Sequence, residues 1–427
     1  MPAETTAFEL PAAVLARLGS TRPKPADSGF LRGALHSRRL VLLKSLLTRA
    51  ERHAPETCRR RLLLHWRLLA RAEAAHPAAA RTTLGYPAVG NWLLHTLDVP
   101  DGPPFDKSLA GLGAAAAAAA LGAGTGFRLT LPTDEGRLVL PGIGAFDARA
   151  ANVRIVAGPG SVCLTPEGRR AAIRLPRPAV LAAPLQGWRG LRPLPGGAGV
   201  LDDLDPYWSG RHLSHGRALP RSPVRSAAAA RPWLARWRAA LALLSSADPP
   251  RAAEVASLVD SVVPIAGDGP GVVSGTLRAA PWAVLTTLPA SSRTMAEVLV
   301  HEVQHSKLAV ISDAVPLLLP GGDAEHTVAW RADPRPLPAV LQGTYAHLAL
   351  ADLWRRLAGR RGATPGSRKA ALARCAAYAE QVSAPLRTLM ESGQLTAEGK
   401  VFVAGMKCYL ESLSGVSPDD SYPHPLS

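Results

Sequence analysis

The sequence TMAEVLVHEVQHSKLAV, residues 294–310, predicts a long buried helix that carries an HExxH motif. His301 and His305 are four residues apart, so their side chains share one helix face, about 6 Å apart along the axis. Both imidazoles can therefore reach one metal ion. Glu302 lies about 100° around the helix, where it can act as a base, anchor a water or orient a ligand. The alternative is a pair of histidines packed on a half-buried helix face.

A metal ion held by two histidines needs a third protein ligand. The metzincin continuation, a glycine and then a further histidine, is excluded because Leu308 and Ile311 occupy those positions. A carboxylate ligand would come from Glu325, in a segment that we expect to be a loop, or from Asp313, near the end of the motif helix. These alternatives stay open at the level of sequence.

His347, within the predicted helix 339–357, is the preferred third ligand. Gly343 lies one turn before it on the same helix face, and a glycine there would let a second helix approach closely. His326 is the second choice, because it lies in a segment that can cross the site as a loop. The alternative for His347 is an ordinary core histidine.

Two arginines lie between these helices, in the segment AWRADPRP, residues 329–336. Guanidinium groups bind carboxylates through paired hydrogen bonds, so Arg331 and Arg335 are candidate ligands for an acidic substrate or cosubstrate. The alternative is a plain surface loop in an arginine-rich protein.

The whole sequence predicts an α+β fold whose pattern changes along the chain. Residues 1–125 form a mostly helical N-terminal region, and residues 126–225 form a β-rich region. Residues 226–414 form a helical, metal-binding catalytic region, and residues 415–427 form a loose polar tail.

Within these regions, apolar periodicity predicts the individual elements. Alternation predicts strands at 127–131 and 137–140, joined as a hairpin by a turn at 134–136. Further strands are predicted at 153–156, 161–164, 171–175 and 283–287. Helices are predicted at 40–50, 60–75, 109–124, 227–247, 252–263, 294–310, 339–357 and 369–390.

The composition is strongly basic, with 49 Lys and Arg against 33 Asp and Glu, a formal charge of +16 and a pI near 10.5. The arginines are scattered without interleaved aromatic residues, so the charge does not predict a nucleic-acid surface, but it suits an acidic peptide. The four cysteines form no CxxC pair. The N-terminus has no basic segment followed by an apolar core. The apolar stretch 109–124 is shorter than the roughly 20 residues of a membrane span. We therefore expect a cytoplasmic protein with reduced thiols, and no nucleic acid or membrane partner.

Five segments resemble the HEXXH-motif proteins that accompany ribosomally made, modified peptides. They are HEVQHSKL (301–308), WRADPRP (330–336), GTYAHLALADLW (343–354), LDDLDPYW (201–208) and SGTLRAAPWAVLTTLP (274–289). The resemblance covers residues 200–358 well and the first 125 residues more loosely.

This resemblance implies a non-haem iron dioxygenase of ribosomal-peptide (RiPP) biosynthesis. Such an oxidoreductase uses Fe(II), 2-oxoglutarate and O2 to hydroxylate the β-carbon of a residue in a precursor peptide. His301 and His305 would be iron ligands and His347 the third ligand. Glu302 occupies the glutamate position of the motif.

The resemblance also implies a cosubstrate site and partners. Arg335 or Arg331 would bind the 2-oxoglutarate carboxylate, and Lys307 is an alternative partner for that anion. The partners would be the precursor peptide and other maturation enzymes of the same pathway.

Two other functions use the same histidine pair. A zinc metallopeptidase would use Zn²⁺ to activate water, with Glu302 as general base. A non-catalytic peptide-binding protein would retain the motif without its chemistry. A histidine rather than a glutamate as third ligand, together with the arginine-bearing segment, distinguishes the oxygenase from the peptidase.

Overall fold

The computed structural model describes residues 10–169, 172–176, 187–204, 226–267, 269, 271–322 and 324–414. Helices make up 59% and strands 16%, with helices first and strands in the middle, which confirms the predicted α+β class. The segment 415–427, expected to be a loose tail, lies outside the described residues. Among the described helices, none is both long and apolar enough to cross a membrane.

The chain divides into two compact units, and both are discontinuous in sequence. Unit 1 comprises Met1–Leu31, Ala239–Val255 and Ser291–Ser427. Unit 2 comprises Arg32–Arg238 and Ala256–Ala290. Described residues from the N-terminal, central and C-terminal parts of the chain therefore pack together within unit 1.

The N-terminal part of the described chain is helical. Its helices are α1 (Ala12–Gly19), α2 (Pro25–His53), α3 (Glu56–Ala75), α4 (Pro77–Gly85), α5 (Pro87–Asp98), α6 (Pro103–Ser108) and α7 (Gly111–Gly122). Helix α7 is rich in alanine, and its residues 115–120 are at most 1% exposed, which confirms the predicted buried helix. Its small side chains permit close packing against α3.

The described strands of unit 2 form three sheets. They are β1 (Phe127–Pro132), β2 (Arg137–Leu140), β3 (Gly144–Asp147), β4 (Asn152–Ala157), β5 (Ser161–Pro166), β6 (Ile173–Pro176), β7 (Trp188–Gly190), β8 (Arg192–Pro193), β9 (Val200–Leu201), β10 (Ser261–Pro264), β11 (Ser274–Gly275) and β12 (Ala283–Thr286). The strand orders are β1-β4-β5-β6, β2-β3-β7 and β11-β12-β10-β9-β8. Strand β10 runs parallel to both β9 and β12.

The predicted hairpin between β1 and β2 is wrong. Strand β1 pairs with β4, and β2 pairs with β3. The turn itself forms, because Asp134 and Arg137 make an isolated bridge and Glu135 and Gly136 take positive φ. The two strands then enter different sheets, since a turn signal does not determine which strand each neighbour will pair with.

The predicted helix 252–263 is too long. The helix preceding it, α8 (Ala227–Ala247), has the predicted bounds, and the next one, α9 (Pro249–Leu258), ends before the sheet resumes. Residues Ser261–Pro264 form the buried strand β10 instead. A short apolar run that is buried on both faces has no period that distinguishes strand from helix.

The part of unit 1 that follows is mainly helical. Its described helices are α10 (Ser292–Ala314), α11 (Leu337–Ala358), α12 (Pro365–Glu391) and α13 (Ala397–Ser414). A loop was expected between α10 and α11, but β13 (Glu325–Val328) and β14 (Arg331–Pro336) form an antiparallel hairpin there. Helix α11 packs against both α10 and α12. The motif helix therefore lies beside the helix that carries His347.

Candidate metal centre

Helix α10 carries the HExxH motif and is a core helix of unit 1. Ser291 caps its N-terminus, because its Oγ accepts a hydrogen bond from the backbone N of Thr294 at 3.0 Å. Apolar side chains on the buried side include Val298, Leu299, Val300, Val303, Leu308 and Ala309. His301 and His305 are half-buried and lie on the more accessible side of the helix.

The two motif histidines contact each other across one helical turn. Their Nε2 atoms are 2.9 Å apart, and their ring centroids are 4.5 Å apart with the planes at 87°. Two imidazoles that bind one ion at about 2.0–2.1 Å, roughly 90–110° apart, hold their nitrogens about 2.8–3.4 Å from each other. His301 and His305 therefore have the spacing of neighbouring metal ligands. Between two neutral imidazoles the same contact is a hydrogen bond.

His347 of α11 is a third imidazole beside this pair. Its ring centroid lies 5.7 Å from that of His301, 4.6 Å from Trp330 and 5.4 Å from Tyr378. Burial, and secondly the neighbouring His301, lower the pKa of His347 to about 3, so its ring is neutral at pH 7. The neutral ring is the form that binds metals. Within the described part of the chain, its Nδ1 has no hydrogen-bond partner.

The histidines fit a metal ion in part. His301 and His305 match two adjacent ligand positions, and the buried Nδ1 of His347 is a nitrogen without a described partner. As they stand, no three His, Cys, Asp or Glu side chains among the described residues form a group that would hold a metal ion. Rings that share an ion have centroids roughly 4.5–5.2 Å apart, so the His347 ring, 5.7 Å from that of His301, would have to move closer by about 0.5–1.2 Å.

Gly343 lies one turn before His347, and its role differs from the expected one. A Cβ at Gly343 would lie 2.5 Å from the ring atom Cζ2 of Trp330. The glycine therefore accommodates an indole rather than a second helix. Trp330 lies at the turn between β13 and β14 and contacts His347, so the hairpin supports the third imidazole.

The other residues considered as third ligands lie elsewhere. Glu325 is exposed at the start of β13, and His326 follows it, half-buried in the same strand. Asp313 comes eight residues after His305, about 12 Å further along the helix axis. Of these described candidates, His347 is the one whose ring contacts a motif histidine. Glu302 is 1% exposed and belongs to the buried side of α10.

The two candidate arginines of the hairpin lie on β14. Arg335 Nη1 donates to Asp333 Oδ2 at 2.9 Å, and Arg335 is paired with His326 in the strand register. Arg331 follows Trp330 directly and is half-buried. Arg331 therefore lies beside the residue that contacts His347, whereas Arg335 is four residues further and already has a carboxylate partner.

Lys307, expected as an alternative anion partner, instead forms a buried ion pair. Its Nζ donates to Glu254 Oε1 at 2.7 Å, and Glu254 Oε2 accepts from Arg251 Nη1 at 2.7 Å. The side chains of Lys307 and Arg251 have no exposed surface. The Lys307 ammonium therefore has its carboxylate partner inside the protein and is not available to a bound anion.

This ion pair belongs to a larger buried network. Arg251 Nη2 donates to Asp352 Oδ2 at 3.3 Å, and Arg22 Nη1 donates at 2.6 Å to both Asp352 and Asp248. Tyr409 Oη donates to the other Asp352 oxygen at 2.6 Å. We call six of these charged residues the ion network: Arg22, Asp248, Arg251, Glu254, Lys307 and Asp352. Three cations face three carboxylates, so the buried charges compensate one another.

Several residues near the histidines were not identified from the sequence. Trp330 and Tyr378 contact His347, and these contacts between elements leave no local signal. Glu297 lies one turn before His301, and its Oε1 accepts a hydrogen bond from Trp354 Nε1 at 2.6 Å. Glu297, His301 and His305 follow one another at four-residue spacing, and this spacing was the signal in the sequence that could have identified Glu297.

Comparison with models of known protein families and with curated proteins yields no match for this chain. The site is therefore characterised by its own chemistry. It combines two imidazoles at metal-ligand spacing, a third imidazole buried beside them, and arginines on the adjoining hairpin.

Proposed function

We propose that this chain is an Fe(II)- and 2-oxoglutarate-dependent oxygenase that hydroxylates the β-carbon of a residue in a ribosomally made precursor peptide. The observation that carries the proposal is the 2.9 Å separation of the Nε2 atoms of His301 and His305, with the His347 ring packed beside them. The resemblance of HEVQHSKL, WRADPRP and GTYAHLALADLW to peptide-modifying HEXXH proteins suggests the reaction. Because the precursor is made on ribosomes, we expect the enzyme to act in the cytoplasm, with that peptide and other maturation enzymes as partners.

Imidazole is a ligand that suits iron, and three imidazoles would leave positions open for 2-oxoglutarate and O2. When bound, Fe(II) and 2-oxoglutarate supply the oxidising power to hydroxylate an unactivated C–H bond. His301 and His305 would each present Nε2, and their half-buried rings leave the outer side accessible to a peptide. Trp330 and Tyr378 hold the third ring, His347, in place.

The remaining polar residues of the proposal bind and orient. Arg331 or Arg335 would bind the distal carboxylate of 2-oxoglutarate through two parallel N–H donors. Arg331 is preferred, because it adjoins Trp330, whereas Arg335 already pairs with Asp333. Glu302, buried within α10, would orient the motif from its inner side.

The test is an anaerobic titration of the metal-free protein with Fe(II) and then with 2-oxoglutarate. We expect one Fe(II) per chain and a weak visible absorption band when the keto acid binds. His301→Ala and His305→Ala are expected to abolish Fe(II) binding, and His347→Ala to weaken it at least about tenfold. His326→Ala, a half-buried histidine on the hairpin, is the matched control and should bind Fe(II) normally. Turnover should then add about 16 Da to the precursor peptide, one oxygen atom.

Other results would support the competing functions. Stoichiometric zinc, no keto-acid band and cleavage of the peptide would indicate a zinc metallopeptidase with Glu302 as general base. No binding of either metal by the folded protein would indicate a non-catalytic peptide-binding protein. Circular dichroism of each variant separates loss of the metal site from loss of the fold.

A further inference from the structure

A second cluster of polar side chains lies one helical turn from the histidine pair. Glu297 precedes His301 by four residues and therefore shares its face of α10. The Trp354 side chain of α11 is 3% exposed, and its Nε1 donates to Glu297 Oε1 at 2.6 Å. This hydrogen bond holds the glutamate at the edge of a buried indole.

Two arginines, Arg293 of α10 and Arg374 of α12, lie against the same indole, and we call them the arginine pair. Their Cζ atoms are 5.4 and 5.5 Å from the centroid of the Trp354 ring, within the range of cation–π contacts. Both arginines are exposed, and no carboxylate of the described residues forms an ion pair with either of them. Burial raises the pKa of Glu297, while Arg374 and Arg293 act in the opposite direction, which places both near that carboxylate. The arginine pair is therefore accessible to a ligand that approaches from solvent.

The arginine pair is close to the candidate metal centre on two elements. Arg374 lies one turn before Tyr378 on α12, and Tyr378 contacts the His347 ring. On α10, Glu297 lies one turn before His301. Arg293 precedes His301 by eight residues, so a carboxylate bound at the arginine pair would lie about two helical turns, roughly 12 Å along the axis, from the histidines. In an extended peptide this distance corresponds to about three to four residues.

We propose that the arginine pair binds an acidic side chain of the substrate peptide and selects peptides with Asp or Glu about three to four residues from the modified one. This inference rests on the proposed function, because it names the substrate class of that site. Guanidinium groups bind carboxylates through paired donors, and stacking on an indole holds them in place before the ligand arrives. The exposure of both arginines favours a peptide that approaches from solvent over a small dicarboxylate enclosed at the metal. The formal charge of +16 attracts acidic peptides over longer distances.

The test measures binding of the capped pentapeptides acetyl-Ala-Ala-Xaa-Ala-Ala-amide to the metal-free protein by saturation-transfer NMR, with Xaa being Asp, Glu, Asn or Gln. We expect the acidic peptides to bind about fivefold more tightly than the amide peptides, and the preference to fall with added salt. Arg374→Gln and Arg293→Gln should remove the preference. Arg387→Gln replaces another exposed arginine of α12 and should retain it.

Equal binding of acidic and amide peptides to the unmodified protein would overturn the inference, as would loss of the preference in Arg387→Gln. Glutarate, a small dicarboxylate, tests whether the arginine pair binds a small ligand instead of a peptide. If glutarate binding requires Arg374 while the peptides show no preference, the site serves a small carboxylate and the inference is overturned. His301→Ala should keep the acidic preference while it loses Fe(II). If the unmodified protein binds no Fe(II) but still prefers the acidic peptides, the proposed function is refuted and the acidic-peptide site is not.

Discussion

Replacement of Glu254 by glutamine tests whether the ion network holds α10 in place. Lys307 and Arg251 each donate to Glu254 at 2.7 Å, and neither side chain has exposed surface. Glutamine has nearly the size of glutamate, but it removes the charge and replaces one accepting oxygen by an NH2 donor, so only one of the two cations keeps its hydrogen bond. Arg251 keeps Asp352 at 3.3 Å, whereas Lys307 loses the one carboxylate with which it forms an ion pair among the described residues. The net charge of the ion network changes from zero to +1.

The expected cost follows from the burial of these groups. Removal of one partner from a buried ion pair costs about 3–5 kcal/mol, because the other charge stays buried and uncompensated. Domains are stable by about 5–15 kcal/mol, so this loss is a large share of the free energy of unfolding. With a urea dependence of about 3 kcal/mol per M, the unfolding midpoint of Glu254→Gln should fall by roughly 1–1.7 M.

Urea unfolding followed by circular dichroism measures the midpoint, and hydrogen exchange of α10 peptides reports on the motif helix itself. Glu411→Gln is the matched control: its carboxylate is 63% exposed and 3.8 Å from Lys407, so the midpoint should stay unchanged. The double variant Glu254→Leu/Lys307→Met should recover much of the loss, because an apolar pair replaces the ion pair. A midpoint of Glu254→Gln equal to that of Glu411→Gln would refute the reasoning. So would a double variant less stable than the single one.

Two further predictions follow from the same unit. Burial raises the pKa of Glu254, but Lys307 and Arg251 lower it more, so the folded-state pKa lies below the ordinary 4.5. The stabilising contribution of Glu254 is therefore complete above about pH 5 and is lost as the pH falls through the folded-state pKa. The variant Glu254→Leu/Lys307→Met lacks this carboxylate. Urea unfolding should therefore show that it loses less stability than the unmodified protein between pH 6 and pH 3. Gly343→Ala should displace Trp330 and weaken Fe(II) binding about tenfold in the anaerobic titration, whereas alanine at Gly29, which meets no atom within 4 Å, should leave binding unchanged.

Local patterns predicted helices well and strand pairing badly. The helix at 227–247 has the predicted bounds, because a 3.6-residue period is a property of neighbouring residues. Strands β1 and β2 were predicted as segments but paired with each other incorrectly, since each pairs with a strand that the local turn does not specify. The segment of β13 and β14 reads as a loop because its sequence lacks apolar alternation. The structure shows why: most residues of this hairpin are exposed, so no buried face imposes that pattern.

The candidate site shows the same division between local and long-range information. The HExxH spacing placed His301 and His305 on one face, because four residues make about one turn. The role of Lys307 could not be read from the motif, since its partner Glu254 lies 53 residues away in the chain. The fit of Trp330 against Gly343 depends on a hairpin that the sequence did not predict.

The anchors of α10 explain how two imidazoles come to lie at ligand spacing within the protein itself. Helix geometry fixes the spacing of His301 and His305 along the axis, but it does not fix the direction in which their shared face points. Two contacts do so: Glu297, one turn before His301, is bonded to Trp354, and Lys307, two residues after His305, is bonded to Glu254. Both anchors lie next to the histidine pair and join α10 to other elements of unit 1. Since a metal site that is already arranged loses less entropy on binding, loss of either anchor should weaken Fe(II) binding even where the variant remains folded.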